Sequence, residues 1–89
     1  MMNKVQRHIG ICEKLKETYQ SKNHDYGDSF SETYKKLGII SAITRITDKV
    51  NRLQSLCTKE QLVSDESIED TLMDLANYSI MTLIEIKEQ

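Results

Sequence analysis

SDESIEDTLMDLANYSIMTLIEIKEQ, Ser64 to Gln89, is the stretch whose reading decides the fold. Ile68, Leu72, Leu75, Ala76, Ile80, Leu83 and Ile86 recur mostly at steps of three and four, the period of one helical face. The spacing predicts a helix from near Ser64 or Asp65 almost to the end of the chain. Asp65 and Glu66 in its first turn suit the positive end of the helix dipole. The apolar arc is broader than two neighbouring helices can cover.

Working back from this helix, Thr58 to Asp65 reads as a polar connector with an apolar anchor at Leu62 and Val63. A helix from Ile39 to Leu56 or Cys57 precedes it, with Ile39, Ala42, Ile43, Ile46, Val50, Leu53 and Cys57 on one face. Arg45, Asp48 and Arg52 form a row on another. A short helix, capped by Ser31 and ended by Gly38, comes before that. The first helix runs from about Asn3 to Lys22, with Val5, Ile9, Cys12, Leu15 and Tyr19 along one face. The run NHDYGDS that follows is dense in Asn, Asp, Gly and Ser and reads as a loop. Three main helices and a short one, with tight connections, give an all-α fold: a small antiparallel up-and-down bundle.

The chain has 89 residues, no proline, no tryptophan and one phenylalanine. Such a length makes one domain with a small core, so oligomerisation is the expected way to complete it. The absence of proline suits unbroken helices. A net charge of −2 from interspersed charges leaves no basic stripe for duplex nucleic acid. No apolar run reaches membrane-spanning length and no secretory segment follows Met1, which points to the cytoplasm of a host cell. Cys12 and Cys57 lie far apart on apolar helical faces and read as buried thiols in a reducing compartment. His8 reads as a surface residue of the first helix. There is no GxSxG, Walker loop or HExxH, so hydrolase triads, P-loop chemistry and zincin chemistry have no support.

Two regions concentrate chemistry. On the last helix Glu66, Asp70, Asp74, Asn77 and Met81 fall on one stripe. Carboxylates one turn apart repel each other, and Mg²⁺ would remove that penalty while keeping waters for a phosphate-bearing ligand. From spacing alone the favoured reading of the same stripe is a solvated acidic edge, with Asp74 and Asn77 bonded across to Arg45, Lys49 or Arg52. The second region is KNHDYGDSF, Lys22 to Phe30. Lys22 and His24 suit a phosphate, Tyr26 a base, and Asp25 or Asp28 a metal or a ribose. The alternative is that Asp25 and Asp28 cap turns and Tyr26 packs on the bundle.

KNHDYGDSF, ITRITDKVNRL (Ile43 to Leu53) and ESIEDTLMDLANYSIM (Glu66 to Met81) together resemble the nucleotide modification associated domain 1 family of phages and prophages. That family is similar to the MazG and dimeric dUTPase type of all-α NTP pyrophosphohydrolases, which bind Mg²⁺ through E-x-x-E and E-x-x-D pairs on two helices. Asp74 matches the closing aspartate. Thr71 stands where the glutamate before it is expected, with Asp70 one turn before Asp74, and Asp48 and Asn51 stand at the spacing of the earlier pair. The resemblance implies a MazG-like fold and a nucleotide or nucleotide-derived ligand, held by Lys22, His24, Asp25, Tyr26, Asp28, Lys49 and Arg52. Asp48, Asp70 and Asp74 are the implied Mg²⁺ ligands. Three functions follow as expectations: a Mg²⁺-dependent pyrophosphohydrolase, a non-catalytic binder that sequesters a nucleotide signal of host defence, and a helical protein-interaction module. No catalytic residue is assigned.

Overall fold

The computed structural model describes residues 2–58 and 65–88, with the backbone alone for residues 25, 26, 65 and 66. It is an all-α four-helix bundle: α1 Lys4–Tyr26, α2 Ser29–Leu37, α3 Ile39–Thr58 and α4 Asp65–Lys87. The anchor expected at Leu62 and Val63 lies outside the described residues, as does the side chain of Glu66. No helix among the described residues is long and apolar enough to cross a membrane.

Local chemistry sets the helix ends. Asn3 caps α1 in a reciprocal box: its side chain accepts from the Gln6 amide at 2.8 Å, and the Gln6 side chain accepts from the Asn3 amide at 3.0 Å. α1 runs four residues beyond the expected Lys22, through His24 to Tyr26. The break is confined to Gly27 and Asp28, because the chain enters positive φ at Gly27 (φ 70°), where glycine alone is unstrained. Asp28, rather than the expected Ser31, caps α2. Its carboxylate accepts from the Ser31 amide at 3.4 Å. Gly38 (φ 78°) ends α2 as expected, its amide donating to the Tyr34 carbonyl at 2.7 Å.

Among the described residues the buried hydrophobic ones are few: Leu15, Phe30, Tyr34 and Ala42. Phe30 and Tyr34 of α2 cluster with Ala42 of α3, and Tyr78 and Met81 of α4 pack against them. Lys49 meets Asp74 and Arg45 meets Tyr78, so numbers rise along α3 as they fall along α4 and the two helices run antiparallel.

α4 turns a face inward that its periodicity does not predict. Thr71, Thr82 and Glu85 are buried, whereas of the expected core arc Ile68, Leu75 and Ala76 are half-buried and Leu72, Ile80, Leu83 and Ile86 are exposed. The inward polar groups are all satisfied. Thr71 and Thr82 donate to the Ser67 and Tyr78 carbonyls of their own helix, each at 2.7 Å, and so need no partner from another helix. Glu85 accepts from the Ser31 hydroxyl at 2.8 Å. On α3, similarly, Ala42 is buried and Ile46 and Leu53 are half-buried, but Ile39, Ile43, Val50 and Cys57 are exposed. Both cysteines are exposed free thiols in this chain, which corrects the buried assignment. For Cys12 the reason is that α1 is buried only at Leu15, and every described residue before it is exposed. His8 is exposed as expected.

Ser31→Ala leaves the buried Glu85 carboxylate without its hydroxyl donor. Urea unfolding of this variant should give a stability lower by roughly 1–3 kcal/mol. An unchanged midpoint would show that the pair does not hold α2 to α4.

Candidate functional site

Asp74 sits midway along α4 and meets both helices that flank it. Its Oδ1 lies 3.6 Å from Lys22 Nζ of α1 and its Oδ2 lies 3.3 Å from Lys49 Nζ of α3. The side chains of Lys49 and Asp74 are 27% and 34% exposed, and that of Lys22 is 62% exposed, so the Lys49 contact is the better shielded one. One turn on, Asn77 Nδ2 donates to the Leu15 carbonyl of α1 at 3.2 Å. This is the cross-helix bonding expected for an acidic edge, with Lys22 and Leu15 as partners that spacing does not suggest.

Next to this junction is a cavity of about 210 Å³, formed where the end of α1 and the start of α2 meet α3 and α4. Lys22, Asn23, Gly27 and Asp28 rim it, and Asp74 and Asn77 belong to its wall. Its aromatic side is Tyr19, Phe30 and Tyr78. The Phe30 and Tyr78 rings are stacked, with centroids 6.0 Å apart and planes inclined by 27°. The Arg45 guanidinium lies 6.0 Å from each of these two centroids, and Lys49 Nζ lies 5.9 Å from that of Tyr78. Among the described residues Arg45 has no carboxylate partner. The wall holds two cations, Lys22 and Arg45, and two carboxylates, of which Asp28 is engaged as the α2 cap and Asp74 is paired with Lys22 and with Lys49 beyond the wall.

Of the expected site residues, Lys22, Asp28 and Asp74 line the cavity, and Lys49 stands beside it, bonded to Asp74. His24 is exposed in the last turn of α1, and Arg52 is exposed on α3; neither lines the cavity. The side chains of Asp25 and Tyr26 lie outside the described residues. Asp48 and Asp70 are exposed, and Asp70 lines a separate groove between α1 and α4. Among the described residues no three His, Cys, Asp or Glu side chains come together. Thr71, at the position where the resemblance expects a glutamate, is buried and bonded to its own backbone. Asp48, Asp70 and Asp74 are thus not gathered into a group of three such side chains among the described residues.

Sequence reasoning assigns no ligand role to Tyr19, Phe30 or Tyr78, and names Asn77 as a member of the acidic stripe and Arg45 as its cross-helix partner. Asn77 and Tyr78 stand in the DLANY run, the signal that could have identified them.

Asp74→Asn removes the charge that both lysines share. Because the partners remain partly solvated, the loss should be about 1 kcal/mol at low salt and should shrink as salt screens it. A mutant at least as stable as the wild type would overturn the pairing. If Mg²⁺ also raised the wild-type melting temperature, Asp74 would be a metal ligand instead.

A family model described as nucleotide modification associated domain 1 matches residues 22–86. The matched span includes every residue of the cavity wall named above except Tyr19. No curated protein and no solved structure matches the chain.

Proposed function

The chain belongs to the nucleotide modification associated domain 1 family, and we propose that it is a phage-type protein that binds a nucleotide or nucleotide-derived molecule in the cavity at Arg45. The observation that carries this reading is a half-buried guanidinium with no carboxylate partner among the described residues, set against two stacked rings. An arginine presents a rigid fork of donors that matches a phosphate, and aromatic faces suit a base. Lys22 and Lys49 stand beside it, already arranged by Asp74. Asn23 and Asn77 at the wall offer both donors and acceptors for a ribose or base edge.

Binding without turnover is the form we favour, a binder that sequesters a nucleotide signal. Asp74 carries the contacts of two lysines, and the described carboxylates do not gather as a metal site would require. In this reading Lys22, Lys49 and Arg45 hold phosphate, and the DYGD segment supplies the rim through Asp28.

The test is calorimetric titration with nucleoside mono-, di- and triphosphates and cyclic oligonucleotides, each with and without Mg²⁺. Binding of at least one of them should weaken about tenfold or more in Arg45→Gln, the loss of a charge-assisted contact. Helicity should be retained. Mg²⁺-dependent release of pyrophosphate in the same mixtures would select the pyrophosphohydrolase reading instead. No binding to any of these ligands would overturn both and leave a helical interaction module.

A further inference from the structure

Lys22 and Asp74 form a partition. They line the aromatic cavity on one side, and they also line a groove of about 830 Å³ between α1 and α4. Among the described residues no other side chain is common to the two spaces. The partition is light. Its ion pair spans 3.6 Å and the Lys22 side chain is 62% exposed, while Lys49 holds Asp74 from α3 at 3.3 Å. Rotation of Lys22 alone joins the two spaces. The cavity, at about 210 Å³, is smaller than the roughly 300 Å³ at which small-molecule sites begin, and the groove falls within their range.

The groove differs in chemistry from the cavity. Ile11 of α1 and Leu72 and Met73 of α4 give it apolar walls. Beyond the shared pair its charges are Lys14 against Glu69 and Asp70, an acidic balance that repels a further phosphate. Glu69 and Asp70 are exposed carboxylates, which accept hydrogen bonds from sugar hydroxyls as acidic residues do from a ribose.

We infer, resting on the nucleotide reading of the cavity, that the ligand continues past its phosphates into this groove. It is a nucleoside diphosphate whose terminal phosphate is esterified to a second, uncharged sugar. The nucleoside and its first phosphate take the cavity, at the rings and Arg45. The second phosphate lies at the partition, where Lys22 turns from Asp74 to meet it. The sugar lies in the groove, with its hydroxyls donating to Glu69 and Asp70 and its C–H face against Leu72 and Met73. A free triphosphate would instead carry its last phosphate to those carboxylates. A nucleotide sugar and a dinucleoside diphosphate share this chemistry.

Calorimetric titration of the full chain compares three series built on adenosine, guanosine, cytidine, thymidine and uridine: the nucleoside diphosphates, their glucose esters and the symmetrical dinucleoside diphosphates. At least one ester should bind about tenfold tighter than its free diphosphate. Which ester gains tells the nucleotide sugar from the dinucleotide. Leu72→Trp fills the groove from an exposed position and should abolish that advantage while leaving the affinity for free diphosphate unchanged. Glu69→Ala, also exposed, removes one hydroxyl acceptor and should reduce the advantage. Free diphosphates that bind as tightly as both kinds of ester overturn the inference and leave the cavity its nucleotide. An ester advantage that survives both substitutions overturns the groove as its source. If no member of any series binds, the nucleotide reading itself fails, and the inference with it.

Discussion

One carboxylate, Asp74, meets an ammonium from α1 and another from α3, and the packing of α4 is organised around that contact. Lys22 is 52 residues away in sequence and Lys49 is 25 away. For both to reach Asp74, α4 must lie between α1 and α3 with Asp74 at the junction, while Asp70, one turn earlier on the stripe, stays exposed. Thr71, Tyr78, Thr82 and Glu85, at helical steps along the same side, are carried inward with Asp74. Part of the apolar arc, Leu72, Ile80, Leu83 and Ile86, is then left outside, while Ile68, Leu75 and Ala76 stay half-buried. Ion pairs of this exposure contribute little energy, so the contact specifies an arrangement more than it stabilises one.

The small core follows from the same orientation. With part of the α4 apolar arc outside, the interior is filled by α2, a helix of nine residues. Phe30 and Tyr34 on it supply most of the buried aromatic surface, and the Ser31 hydroxyl bonds the buried Glu85. The position of α2 is fixed at both ends by positive-φ glycines, Gly27 and Gly38. The cavity opens beside the first of these, so its aromatic side is built from the residues that also make the core.

Much of the fold was legible in the sequence. Four helices were expected and four are found, and the glycine end of α2 was read from its residue type. The direction of each face was not legible. Periodicity reports that a helix is amphipathic, but it does not say whether a polar side can be satisfied internally. Thr71 and Thr82 show how it can, each through a carbonyl four residues back. The DYGD segment was misjudged for a related reason. Asn, Asp and Gly in a cluster favour a loop on average, yet only Gly27 has a conformation that a helix excludes, and α1 continues up to it. For the candidate site, the charges of Lys22, Asp28, Lys49 and Asp74 are visible in the sequence, but which of them meet is not. Arg45 over Phe30 and Tyr78 was not legible, because that contact joins three helices.

The shared carboxylate has a consequence for selectivity. An anion that enters beside Lys22 and Lys49 does not find two bare ammonium groups. It finds a resident counterion, covalently part of the chain, that has already drawn them together. Binding there is an exchange of one anion for another, and its free energy is a difference. A monoanion offers the lysines about what Asp74 already offers, so it gains little by displacing it. A dianionic phosphate offers more charge at the same distance and keeps the advantage. In the proposed ligand site, Asp74 would thus favour a dianionic phosphate over a monoanion.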